Sequence, residues 1–135
     1  MSELGDTRVR AIVAGHGEFA AGLVSAVEQI TGRGKAFHTI SARDLSGTEL
    51  EKVILREIDA TGATVVFTDL QAGSCTMATR RIARERPEVL LIAGANLPML
   101  LDFVFAESMS DVDAARHASE RGKAAITAIG GGSGK

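Results

Sequence analysis

The chain of 135 residues has no tryptophan, no tyrosine, one cysteine and two prolines. Each scarcity excludes something. An aromatic content of 4% leaves few flat side chains to stack on bases, and a formal net charge of −2 lacks the basic excess that meets phosphate backbones, so no nucleic acid is expected as a partner. The lone Cys75 has no internal partner for a disulfide, which points to a reducing cytoplasm. No stretch approaches the roughly 20 uninterrupted apolar residues of a membrane span. Residues 1–10 are polar, without the apolar run and cleavage site of a signal peptide.

What is present is the composition of a folded domain. Apolar residues make up 45% and charged residues 24%, and a chain of this length buries roughly 70% of the surface it exposes when unfolded. One domain over residues 1–129 is expected, with residues 130–135, GGGSGK, as a flexible tail.

Apolar runs and helical stripes alternate along the chain. Residues 9–14, V-R-A-I-V-A, suit a strand covered on both faces. Phe19, Leu23, Val27 and Ile30 then fall on one helical stripe, with Gly22 allowing close approach to the sheet, until Gly32 and Gly34 end the element. A second strand follows at 36–40. Ser46 and Glu49 form a capping box for a helix reaching residue 60, and Leu45 can staple onto Leu50. The β-branched run 64–68 is a third strand. Ser74 is expected as N-cap of a helix to residue 86, closed by Pro87. A fourth strand spans 89–93, Pro98 starts a short helix to residue 106, and a last helix runs from Ser110 or Asp111 to residue 121. Residues 124–129 read equally as a final helical turn or as an added edge strand. This alternation predicts an open parallel α/β sheet of order 2-1-3-4, possibly one strand wider, with helices on both faces.

The chemistry-bearing residues gather at one end of that sheet. His16 closes the first strand and Asp69 the third, which become neighbours at the switch point of this strand order. A carboxylate on imidazole Nδ1 fixes the tautomer and leaves an Nε2 lone pair for nucleophilic work. The turn at Gly73, Ser74 and Cys75 opens a helix, and its N–H groups with the Ser74 hydroxyl form an anion site. Together they suggest phosphoryl transfer through the imidazole. By contrast His38 and His117 have no such neighbours, Cys75 near a helix start is expected to be a small packed residue, and Arg80, Arg81, Arg84 and Arg86 read as a solvated helix face.

Two near-matches carry less weight. GHGEFA fits the G-x-G-x-x-A turn of dinucleotide folds, with Asp44 as a ribose contact, and defines the alternative of a small nucleotide-binding regulatory module. The terminal GGGSGK has the wrong spacing for a phosphate-binding loop.

On three segments, IVAGHGEFAAGLVSAVEQITG at 12–32, FTDLQAGSCTMATRRIA at 67–83 and IAGANLPMLLDFV at 92–104, the sequence resembles the mannose-type (mannose/fructose/sorbose) enzyme IIA domains of the bacterial phosphoenolpyruvate-dependent sugar phosphotransferase system. The resemblance covers nearly the whole chain. It implies that His16 is the phosphorylated residue, that Asp69 hydrogen-bonds its ring and that Ser74 lies at the phosphate. It further implies a homodimeric cytoplasmic phosphocarrier without metal or organic cofactor, taking its phosphoryl group from the carrier protein HPr and passing it to an enzyme IIB that serves a membrane sugar permease, with a regulatory role equally compatible. Gln71 and Ala72 stand where many members have an aromatic residue and a second glycine. Glu18, Phe19, Met99 and Leu100 are candidates for the partner-docking rim.

Overall fold

Alternate side chains of β1 (Ala11–Gly15) enter different cores: Ala11 and Val13 join one cluster, Ile12 and Ala14 the other. Successive strand side chains point to opposite faces, and both faces are covered here, so the strand is apolar without a break. β3 (Val65–Thr68) repeats the pattern, with Val65 and Phe67 on one side and Val66 on the other. The computed structural model describes residues 8–132, and the expectations for residues 1–7 and 133–135 lie outside them.

With β2 (Phe37–Ser41) and β4 (Leu90–Ala93), these strands form a parallel sheet in the order β2-β1-β3-β4, as the sequence predicts. One face carries α1 (Phe19–Thr31), α4 (Leu97–Phe105) and α5 (Asp111–Ala124), through Val27, Leu100, Phe103 and Ala115. The other carries α2 (Gly47–Thr61) and α3 (Ser74–Glu85), through Leu50, Ile54, Ile58, Cys75 and Ile82. The crossover after β1 lies on the first face and leads to β2, whereas the crossover after β3 lies on the second and leads to β4. The chain therefore leaves β1 and β3 in opposite directions, and a crevice opens at their carboxyl ends.

Local sequence fixes the helix ends. The α2 capping box forms in full, Ser46 Oγ accepting from Glu49 N at 3.1 Å and Glu49 accepting from Ser46 N at 2.8 Å. Such a cap stabilises a helix by about 1 kcal/mol. Gly62 ends the same helix in the left-handed region, φ 77°, which glycine adopts without steric penalty. Leu45 packs against the cluster that holds Leu50, consistent with the staple.

At the end of the sheet away from the crevice, Arg10 is 4% exposed. Its guanidinium donates to Asp111 at 2.9 Å and to the carbonyls of Val104 and Ala106 at 3.4 Å, and it lies 4.3 Å from the Phe103 ring centre. A charge is tolerated there because acceptors and a ring face surround it. Nothing in the apolar pattern of the first strand signals this clamp.

Several local expectations change. Gly22 is exposed and a Cβ there would touch nothing, whereas the tight approach is at Gly34, where a Cβ would meet Glu28 Cβ at 3.0 Å. Ile30 stands 60% exposed, rotated off the stripe that Phe19, Leu23 and Val27 present to the core. A 3-10 turn, Gly34–Ala36, precedes β2. Leu97 rather than Pro98 is the first residue of α4. Residues 126–130 form neither helix nor strand among the described residues, and Ile126 and Ile129 are 75% and 91% exposed. Both faces of the sheet already carry helices, so these isoleucines find no covering surface among the described residues, where half-buried β4 is an edge strand.

Candidate active site

β1 and β3 pair in parallel, and the residues that follow them meet. Asp69 Oδ2 accepts the His16 backbone N–H at 2.8 Å and lies 2.8 Å from His16 Nδ1. One carboxylate oxygen thus holds both the main chain and the ring. With Asp69 ionised, Nδ1 carries the proton and Nε2 keeps its lone pair. The His16 side chain is 53% exposed and that of Asp69 only 9%.

Burial alone would raise the Asp69 carboxyl, but the hydrogen bonds from the His16 N–H and ring, with the charge the ring carries when protonated, hold it below the ordinary carboxylate value. Its second oxygen, Oδ1, is buried without a hydrogen-bond partner among the described residues. The carboxylate therefore depends on His16 for its compensation.

Three glycines make room for this pair. A Cβ on Gly15 would stand 2.6 Å from Phe19 Cδ2 and 3.0 Å from Asp69 Cγ. Gly17 has φ +52° inside the turn that Phe19 N closes on His16 O at 3.0 Å. A Cβ on Gly73 would lie 3.1 Å from His16 Cε1, so the imidazole sits against the start of α3. The glycines of the G-H-G turn are accounted for by His16 and Asp69, without any nucleotide.

Gly73, not Ser74, is the N-cap of α3, and no side chain caps the helix. The reason is Thr76, which sequence reasoning passed over. Its hydroxyl donates to the Leu70 carbonyl and lies 2.6 Å from Thr68 Oγ1, tying the loop between β3 and α3 to the strand end. Both threonines are buried, and a threonine ending an apolar strand, followed eight residues later by another, was the available signal. Ser74, Cys75 and Thr76 are left at the first helical positions, where backbone N–H groups have no intrahelical acceptor and attract anions. Cys75 is fully buried, and its thiol is pushed up to about 11 by burial and then by the Asp69 charge. The helix start does not lower it, and the side chain packs in the second core cluster.

Of the docking candidates, Glu18 is exposed and paired with Arg43 at 3.0 Å, and Phe19 is half-buried against the first core cluster. Met99 and Leu100 are 4% and 0% exposed and belong to that core, offering a partner no surface. Exposed apolar area lies instead at Leu70 beside Gly73 and at Met77 on α3. The other histidines have acidic neighbours after all: His117 Nδ1 lies 2.7 Å from Asp102, and His38 Nε2 3.4 Å from Glu57. Of the four arginines, Arg81 on α3 pairs with Glu51 at 2.7 Å and Arg86, just past its end, with Asp59 at 3.2 Å. No helix among the described residues is long and apolar enough to cross a membrane.

The model of the fructose IIA component of the phosphotransferase system matches residues 10–120. The sorbose-specific EIIA component of Lacticaseibacillus casei is 32% identical over 103 residues, covering 73% of this chain and 75% of its own. The mannose/sorbose-specific IIA subunit of Enterococcus faecalis superposes with a TM-score of 0.76 at 20% identity, over 91% of this chain and 96% of its own. The phosphotransferase component EIIA of Streptococcus agalactiae does so with 0.72 at 23% identity, over 88% and 96%. At these identities the two superpositions speak for the fold, while the family match and the sorbose relative speak for descent. The chain belongs to the mannose-type enzyme IIA family of the bacterial sugar phosphotransferase system.

Proposed function

We propose that this protein is a cytoplasmic phosphocarrier in which His16 Nε2 accepts a phosphoryl group from the phosphohistidine of HPr and delivers it to an enzyme IIB during sugar uptake. The observation that carries this reading is the His16–Asp69 pair set against the start of α3. The Nε2 lone pair attacks phosphorus as the donor N–P bond breaks, and the donor imidazole leaves with that electron pair. The acceptor ring becomes cationic, with its proton still on Nδ1 facing Asp69. No proton has to be lost, so positioning and electrostatics supply the catalysis, and neither metal nor organic cofactor enters. The N–H groups of Ser74 and Cys75, with the Ser74 hydroxyl, meet the transferred oxygens.

Residues 1–129 act in this reading as one carrier domain. Incubation with phosphoenolpyruvate, enzyme I and HPr should load one phosphoryl group, stable in base and labile in acid, that enzyme IIB then removes. Absence of loading, with a dinucleotide binding at micromolar affinity in a calorimetric titration, would restore the nucleotide-module alternative.

The protein also pairs with a second copy of itself in this reading. β4 is an apolar edge strand, and the segment carrying Ile126 and Ile129 is exposed, surface that gains by pairing across chains. Sedimentation at micromolar concentration should give a dimer, and only monomer would exclude it.

A further inference from the structure

The loops at the carboxyl end of the sheet, residues 16–18, 42–46, 69–73 and 94–96, contain one lysine or arginine, Arg43. Its position is built. β1 and β2 pair in parallel with Gly15 opposite Ser41, so the residues after each strand run side by side. The Ser41 hydroxyl donates to the Gly17 carbonyl at 3.1 Å and accepts the Arg43 N–H at 3.2 Å, joining the two loops through one oxygen. Ala42 N donates to Gly15 O at 2.9 Å, and a turn closed from Leu45 N to Ala42 O at 3.2 Å, with Asp44 at φ 61°, holds Arg43 at its corner. The guanidinium reaches back to Glu18 in the His16 turn, 3.0 Å away. A cleft of about 230 Å³ runs beside this ion pair, bounded by Gly17, Ala21, Thr39 and Ser41.

We propose that Arg43 exchanges Glu18 for the phosphoryl group once His16 carries it, making Arg43 the counter-charge of the loaded state. The inference rests on the phosphocarrier reading of His16. The Glu18–Arg43 pair is 78% and 59% exposed at its two side chains, and such pairs contribute little, so releasing it costs little. Phosphorylation places roughly −1.5 to −2 charges two residues from Glu18, against the single charge of that carboxylate, and guanidinium matches phosphoryl oxygens in a planar fork. The other charged side chains of these loops are Asp69, which contacts His16, and Glu18 and Asp44, all acidic. Without Arg43 these loops would set a dianion beside three carboxylates and supply no cationic side chain of their own.

The test is a ³¹P NMR titration of protein loaded with phospho-HPr or with phosphoramidate. Arg43→Gln should raise the second ionisation of the phosphoryl group by about half a unit to one unit, and Arg43→Lys by less. Glu18→Gln should lower it, and that lowering should shrink when Arg43 is also glutamine. Equal titrations in wild type, Arg43→Gln and Arg43→Lys would overturn the exchange while leaving the carrier reading intact. Failure of phospho-HPr to load His16 would overturn both.

Discussion

Among the described residues two histidine–aspartate pairs match in ring-to-carboxylate distance and in exposure. His16 Nδ1 lies 2.8 Å from Asp69 and His117 Nδ1 lies 2.7 Å from Asp102, and the imidazoles are 53% and 48% exposed. The difference is in what surrounds them. Asp69 binds the main chain of its histidine as well as the ring, and the imidazole rests against a glycine at a helix start. His117 sits within α5, where backbone N–H groups are used up in the helix, and Asp102 has Arg121 3.8 Å away as a second partner. A pair orients an imidazole. A site also needs unpaired donors where the transferred charge arrives.

Neutralising each carboxylate in turn should separate the two pairs most strongly. Asp69→Asn should slow phosphoryl transfer about 10- to 100-fold, the usual penalty for removing the partner that orients a functional histidine. Asp102→Asn should leave the transfer rate unchanged. Equal slowing by both would mean that the surroundings do not distinguish the pairs. Rapid-quench transfer from labelled phospho-HPr measures this directly.

A smaller effect is expected from the glycine that lets Asp69 under the His16 turn. Gly15→Ala places a methyl 2.6 Å from Phe19 Cδ2 and 3.0 Å from the Asp69 carboxyl, an overpacking that should cost about 1–3 kcal/mol in urea unfolding. Gly22→Ala, where a Cβ meets nothing, is the control and should hold or slightly gain stability.

The smallest effect separates the pairs by pH. The Asp69 carboxyl is held below its ordinary value of 3.8, so its contribution to stability is complete above that value and is lost as pH falls through the lower folded value. Thermal melts taken from about pH 5 down to about pH 3 should therefore show a shallower loss for Asp69→Asn than for wild type. Parallel curves would mean that Asp69 gains nothing from His16.

The share of this that is legible in sequence follows from the range of the forces involved. His16 and Asp69 were legible because each ends an apolar run, and strand order turns that position into proximity. The α2 cap was legible because Ser46 and Glu49 act on their own backbone. Met99 and Leu100 were not, because whether a helical residue faces a core or a partner depends on which neighbour covers it, here α5 and the sheet. The His117–Asp102 pair and the Arg10 clamp join residues 15 and 101 positions apart, and no local pattern announces such contacts. Ser74 lost the cap to Gly73 because Thr76 bonds to Leu70 and Thr68, a closure written across nine residues.

In the proposed phosphocarrier the surroundings, rather than the pair itself, select the reactive histidine. Wild-type protein loaded from phosphoenolpyruvate through enzyme I and HPr, digested at alkaline pH and sequenced by mass spectrometry, should carry its phosphoryl group on the peptide containing His16 and none on the peptides containing His38 or His117. His16→Ala should take up no label while melting near the wild-type temperature, because an exposed turn residue adds little packing. A phosphoryl group on His117, or label persisting in His16→Ala, would contradict the account.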